Sequence, residues 1–265
     1  MSKGTDNQAY ILTGSKVTKK FGGLTAVSEV DFAVRTGSIM GLIGPNGAGK
    51  TTLFNCITGN HKPTSGEVLF KTTDLVPLPV YEITKVGIAR TFQNIRLFRS
   101  MTVLENVLLG MHIHVKHGVM DVLLRTPRFV ADEKLKTDKA LNLLAVCGLS
   151  GVKDEQAKNL SYGAQRRLEI ARALATEPSL LLLDEPTAGM NPNETTGLGD
   201  FIRKIQTQFA LTIILIEHDM KFVMGLCERI MVLNNGQKIA EGLPKEVQNN
   251  EEVIQAYLGR GMCHA

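Results

Sequence analysis

The sequence has 265 residues and a mass of 29.0 kDa, room for one or two domains of ordinary size. With 43% hydrophobic and 21% charged residues it can bury a sizeable core, which excludes collagenous, disordered and disulfide-framework chains. A net charge of +4 is too small to indicate a nucleic-acid partner, and the pairs Lys19-Lys20 and Arg166-Arg167 read as solvated faces.

The four cysteines, Cys56, Cys147, Cys227 and Cys263, are far apart and form no CxxC, so neither zinc nor a disulfide framework is expected and a reducing cytosol fits. The longest apolar runs, Leu180–Leu183 and Ile213–Ile216, fall far below the roughly 20 residues of a spanning helix. The amino-terminal residues carry no apolar stretch of the kind a secretory leader needs, so any membrane role is expected to come through a partner.

In chain order, Ile11-Leu12, Val27–Val34 and Ser38–Ile43 predict strands, with turns at Gly22-Gly23 and Thr36-Gly37. The run Ile39–Ile43 is apolar throughout, which suits a strand buried on both faces of a parallel sheet. A glycine-rich turn and a helix over Lys50–Thr58 follow. Residues 99–176 read as helical. In Asp132–Val146 the helical spacing of Leu135, Leu141, Leu144 and Ala145 marks a face, and Gly148 is the stop. A second helix over Ala164–Ala175 carries Leu168, Ala171, Leu174 and Ala175 on one face. Leu180–Leu183 and Leu211–Ile216 predict two more buried strands, and Asn235-Gly236 between Ile230–Leu233 and Lys238–Ala240 predicts a hairpin. The expected organisation is one α/β domain with a helical insertion.

Gly44-Pro45-Asn46-Gly47-Ala48-Gly49-Lys50-Thr51 fits GxxxxGK[ST] at every fixed position and lies between a buried strand and a helix. Glycines let successive backbone N–H groups turn onto phosphate oxygens, and the helix N-terminus adds its positive end. Lys50 reaches the β and γ phosphates, and the Thr51 hydroxyl can ligate Mg²⁺. Leu180–Leu183 leads into Asp184, a carboxylate at a strand end that can hold Mg²⁺, and into Glu185, placed to accept a proton from an attacking water. Gln93, after Arg90-Thr91-Phe92, can contact the metal or that water, and His218 places a neutral imidazole near the γ phosphate. The triplet His112, His114 and His117 lacks Cys or carboxylate support and reads as incidental rather than as a metal site.

The ordered set Gly44–Thr52, Gln93, Leu160-Ser161-Tyr162-Gly163-Ala164, Leu180–Glu185 and His218 resembles the ATP-binding cassette (ABC) ATPases over about residues 10–258. In that family these elements are Walker A, the Q-loop, the signature, Walker B with its catalytic Glu, and the H-loop. The resemblance implies a P-loop, RecA-like α/β core with an N-terminal antiparallel β subdomain and an inserted α-helical subdomain. Mapped onto this chain it gives an ATPase domain over 8–260, with core at 8–95 and 177–260, a helical signature subdomain at 96–176, and a tail at 261–265. ATP and Mg²⁺ are the implied cofactors. Phe21 stands where the family stacks an aromatic on adenine, Thr52 extends the phosphate-binding stretch, and Ser161 and Gly163 donate to the γ phosphate of the facing chain. Thr51, Gln93 and Asp184 would attend the metal, and Glu185, His218 and Gln93 the catalysis.

Stretches such as Arg90-Thr91-Phe92-Gln93, Arg96-Leu97-Phe98-Arg99 and Ile216-Glu217-His218-Asp219-Met220-Lys221 resemble one branch, the LivG-type ATPases of bacterial branched-chain amino acid importers. That branch implies two transmembrane permease subunits, a second ATPase subunit as dimer partner, an indirect periplasmic or extracellular substrate-binding protein, and a peripheral place on the cytoplasmic face of the membrane. Three positions depart from the general family pattern: Tyr162 and Ala164 in the signature, and Asn191 where an Asp is common. A soluble non-transport ABC ATPase and an exporter's ATPase share the five motifs. A single cassette without heptads speaks against the first and the LivG-like stretches against the second. A GTPase would need an NKxD motif, which is missing, and a kinase fits poorly with a Glu after the Walker B Asp.

Overall fold

The computed structural model describes residues 10–114 and 126–258, so His117, Cys263 and the tail at 261–265 lie outside the described residues. In chain order the elements are β1 (Tyr10–Phe21), β2 (Leu24–Arg35), β3 (Ile39–Ile43), α1 (Lys50–Ile57), β4 (Ser65–Phe70), β5 (Thr73–Asp74), α2 (Val80–Lys85) and β6 (Ile88–Arg90). There follow α3 (Val103–Met111), α4 (Pro127–Val146), α5 (Tyr162–Leu174), β7 (Leu180–Asp184), α6 (Pro192–Gln208) and β8 (Thr212–Ile216). The chain continues with α7 (Met220–Leu226), β9 (Arg229–Asn234), β10 (Gln237–Gly242), α8 (Pro244–Gln248) and α9 (Glu251–Leu258). These elements divide into two compact units, residues 10–83 with 179–258, and residues 84–178.

The first unit holds two sheets. One is antiparallel, in the order β2-β1-β4-β5. Its long strands are bulged: Lys16 and Glu29 adopt left-handed φ of 46° and 49°, and the Lys16 N–H is taken by Asp31 Oδ1 at 2.8 Å. The turn at Gly22-Gly23 pairs Phe21 with Leu24 and leaves both side chains exposed at its tip.

The other sheet runs β10-β9-β3-β8-β7 within this unit, parallel except for the β9–β10 hairpin. Every residue of β3, β7 and β8 is buried, as continuous apolar runs require when both faces are covered. Each of the four leucines 180–183 is fully withdrawn from water, which contributes about 1.5–3 kcal/mol apiece. Asn235 and Gly236 both have positive φ, 47° and 81°, the I′ geometry that this dipeptide favours in a two-residue hairpin. The parallel strands deliver their carboxyl ends, Ile43, Asp184 and Ile216, to one edge of the sheet.

Among the described residues of the second unit, the regular elements are helices apart from β6. Helix α4 starts at the Thr126 cap with Pro127 in its first turn and stops before Gly148, whose φ is 71°. Its buried stripe is Ala140, Leu143, Leu144 and Cys147, the i, i+3, i+4, i+7 set. The face predicted from Leu135, Leu141, Leu144 and Ala145 is therefore rotated: Leu135 is 54% exposed, because packing against α3 selects the covered side. Helix α5 buries Leu168, Ala171, Leu174 and Ala175 as expected. Arg166 corrects the reading of Arg166-Arg167 as a solvated face, since its side chain is fully buried against the carboxylate of Glu169.

Candidate functional site

Residues 44–49 make the turn from β3 into α1. Two glycines are required there. A Cβ on Gly44 would lie 2.0 Å from Leu233 O, and one on Gly49, at φ 100°, would lie 2.4 Å from Ala26 O. Gly49 is also the N-cap of α1 and supplies no side-chain cap, so the first-turn amides of α1 present the positive end of the helix. Lys50 is buried with its ammonium drawn over the turn, 2.6 Å from Gly44 O and 3.0 Å from Pro45 O. The hairpin braces the same turn from behind: Gly236 N–H donates to Ala48 O at 3.0 Å, and Gly236 O accepts from Ser28 N–H at 2.8 Å. Tyr257 of α9 also reaches it. Burial pushes the Tyr257 phenol up, while the backbone of Gly44 pulls it down.

A cleft of about 350 Å³ opens over this turn. It is lined by Phe21 and Leu24 at one end, by residues 46–52, and by Glu185 and His218. Phe21 is 42% exposed, with the His61 ring 5.2 Å away in a T-shaped contact and the Lys19 ammonium 5.0 Å over the Phe21 ring. Asp184 closes β7 and is buried, and Thr51 lies in the first turn of α1.

Glu185 leaves β7 in a left-handed conformation, φ 46°, that a non-glycine residue holds at a cost of about 1–3 kcal/mol and that gathers at functional sites. Its N–H donates to Ile216 O at 2.9 Å, fixing the exit of β7 to the end of β8. Its Oε1 lies 2.7 Å from His218 Nε2. An ionised carboxylate only accepts, so Nε2 carries the proton of this bond. Beneath the pair, buried Glu217 accepts from the Thr187 N–H at 2.8 Å and the Thr187 hydroxyl at 2.7 Å through Oε1, and from the His218 N–H at 3.0 Å through Oε2. One carboxylate thus ties the segment after Glu185 to the backbone of His218. Neither Glu217 nor Thr187 is among the residues that the sequence singles out, because a Glu beside a His has no pattern of its own.

The family profile described as "ABC transporter" matches residues 27–188. The chain belongs to the ABC transporter family. A second profile, described as "Branched-chain amino acid ATP-binding cassette transporter", matches residues 237–262. The high-affinity branched-chain amino acid transport ATP-binding protein LivG of Salmonella typhimurium is 48% identical over 249 residues, 94% of this chain and 98% of LivG. The corresponding BraF protein of Pseudomonas aeruginosa is 44% identical over the same shares. Among solved structures, an ATP-binding cassette of an ABC transporter in its ADP conformation superposes with a TM-score of 0.83 at 34% identity, covering 94% of this chain and 99% of that one. The chain is accordingly an ATPase of the ABC class with the ABC fold, and it binds nucleotide. Among the described residues, no helix is long and apolar enough to cross a membrane.

The remaining residues that the sequence singles out, Gln93, Ser161 and Gly163, belong to the second unit. Ser161 is the N-cap of α5 and accepts from Ala164 N–H at 3.4 Å, with Tyr162 and Gly163 in the first turn. Arg166 Nη2 donates to Gln93 O at 3.0 Å, so α5 and the Gln93 segment meet inside one unit. Asn191, the departure after Walker B, caps α6 by accepting from the N–H groups of Asn193 and Glu194, both at 3.0 Å. Glu194 returns a bond to the Asn191 N–H at 2.9 Å and completes a capping box. Cys56, Cys147 and Cys227 are buried thiols. Burial pushes Cys56 up to about 11 and Cys227 up to about 12, which leaves both inert.

Proposed function

We propose that this ABC ATPase powers an importer of branched-chain or related amino acids. It would work on the cytoplasmic face of a membrane, with two permease subunits, a second ATPase subunit as its dimer partner, and a substrate-binding protein acting indirectly from outside. The likeness to LivG and BraF over nearly the whole of each chain supports this reading above that of a soluble ABC ATPase or an exporter's ATPase.

The observation that carries the hydrolytic assignment is the Glu185–His218 pair at 2.7 Å on the cleft that holds the phosphate turn. Phe21 receives the adenine. Residues 44–52 take the phosphates through their backbone amides, with the Lys50 ammonium on the β and γ oxygens. Thr51 and Asp184 offer a hydroxyl and a carboxylate oxygen, the hard donors that suit Mg²⁺, and Gln93 adds an amide oxygen. When bound, Mg²⁺ neutralises charge on the phosphate oxygens. Glu185 accepts the proton of the attacking water, and His218 holds the Glu185 carboxylate in place while facing the γ phosphate. Ser161 and Gly163 complete the site of the facing chain, so that closure of two ATPases around two nucleotides precedes hydrolysis.

The test is purification of the tagged chain from detergent-solubilised membranes of its own cells, with mass spectrometry of what accompanies it. Two multi-span permeases and a second ATPase are expected. Ribosomal or repair proteins without a permease would overturn the transport reading and leave the ATPase standing.

A further inference from the structure

Arg166 and Glu169 stand three residues apart on α5, and their side chains are 0% and 1% exposed. An ion pair so deeply withdrawn from water repays its desolvation only when its remaining hydrogen bonds are filled. Here the backbone around Gln93 fills most of them. Arg166 Nη1 donates to Glu169 Oε2 and to Phe92 O, both at 2.8 Å. Its Nη2 donates to Gln93 O at 3.0 Å and to the Tyr162 hydroxyl at 3.4 Å. Glu169 Oε1 accepts from the N–H of Arg96 at 3.2 Å and that of Phe92 at 3.4 Å. Residues 91–98 lie outside any strand or helix, and these two side chains supply backbone bonds at Phe92, Gln93 and Arg96, as Asn106 does at Phe98. Burial pushes the Glu169 carboxyl up, and the Arg166 guanidinium with the two backbone N–H groups pulls it down.

We propose that Arg166 and Glu169 are positioning residues for ATP hydrolysis, joining the Gln93 segment to the signature turn at Ser161–Gly163 as one rigid piece. The proposal rests on the roles given above to Gln93 and Ser161. On that reading Gln93 attends the chain's own nucleotide and Ser161 that of the facing chain. The buried pair then makes a change at one nucleotide move the donor aimed at the other. Only a planar guanidinium fork can make this joint. Its two ends bond acceptors on the Gln93 segment, on Glu169 and on Tyr162 at once, which a single ammonium cannot span.

The experiment compares the full-length chain with R166M/E169M, which removes both charges together and leaves neither buried alone. Hydrogen exchange over residues 92–96 is expected to speed by about tenfold or more, with α5 still protected. Binding of a fluorescent ATP analogue is expected to stay within about twofold, and kcat for ATP to fall by about tenfold or more with KM little changed. Where α5 also loses protection, R166K decides the matter: it keeps the charge and is expected to lower kcat and loosen 92–96 with α5 intact. A parental kcat, or unchanged exchange at 92–96 with α5 intact, overturns the proposal. E185Q is assayed alongside. Parental turnover in E185Q would overturn the hydrolytic reading itself, separately from the positioning claim.

Discussion

Glu185 and His218 meet across the ends of β7 and β8, Oε1 to Nε2 at 2.7 Å, with Glu185 held at φ 46° by the bond from its N–H to Ile216 O. The strands bring together two residues that are 33 positions apart, and the left-handed turn points the carboxylate at its partner. E185Q keeps the shape and loses the base. It is expected to cut turnover by about 10²–10⁴-fold while retaining ATP binding, and to trap a closed dimer visible by light scattering. H218A, which removes only the support, is expected to lower kcat with nucleotide affinity retained. Near-normal hydrolysis by E185Q would remove the carboxylate from the mechanism.

Glu217 ties His218 to the segment that follows Glu185. Its carboxylate accepts three hydrogen bonds, from the Thr187 N–H and hydroxyl and from the His218 N–H. E217A leaves the two buried Thr187 donors without their acceptor, at about 1–3 kcal/mol each before relaxation, and the part-buried His218 N–H as well. A fall in melting temperature of about 2–4 °C per kcal/mol is expected for a chain of this size, with loss of turnover. T187A removes only one donor and is expected to be the milder variant. An E217A protein that melts with the parent would show that the carboxylate carries no such load.

The turn between β3 and α1, proposed to take phosphate, is legible in the sequence because its pattern is local: glycines at fixed spacing, a lysine and a hydroxyl between a buried strand and a helix. The strands β3, β7 and β8 are legible because burial on both faces leaves an uninterrupted apolar run. Helix α6 is not, although Leu198, Phe201, Ile202 and Ile205 form its buried stripe. Its first turns contain Thr195, Thr196, Gly197 and Gly199, residues of weak helix propensity that by themselves suggest a loop. The load on Glu217 and the burial of Arg166 are hidden for another reason. Their partners, Thr187 and the Phe92–Arg96 backbone, are 30 and more than 70 residues away.

The Lys50 ammonium lies 2.6 Å from Gly44 O, and on the proposed reading it meets the phosphate charge. K50A removes charge-assisted bonds of about 1.5–3 kcal/mol each, so ATP affinity is expected to fall by about ten- to a hundredfold, read by titration with a fluorescent analogue. G49A acts differently. Its Cβ meets Ala26 O at 2.4 Å under a φ of 100°, so the loss is expected in the folded state itself, as a lowered melting temperature in the absence of nucleotide. Unchanged affinity in K50A would refute the phosphate role of the turn.

Asn191 replaces the acid common in the family, and its geometry gives that replacement a structural meaning. Its Oδ1 takes the N–H groups of Asn193 and Glu194, while Glu194 takes the Asn191 N–H, so the residue starts α6. Asn and Asp serve an N-cap about equally well, and Asp adds a charge that the helix N-terminus favours. N191D is therefore expected to be as stable as the parent or slightly more so. N191A is expected to lose about 1 kcal/mol in urea denaturation. A fall in kcat in N191D with its stability intact would assign Asn191 a part in coupling beyond the cap. An N191A protein as stable as the parent would deny it even the cap.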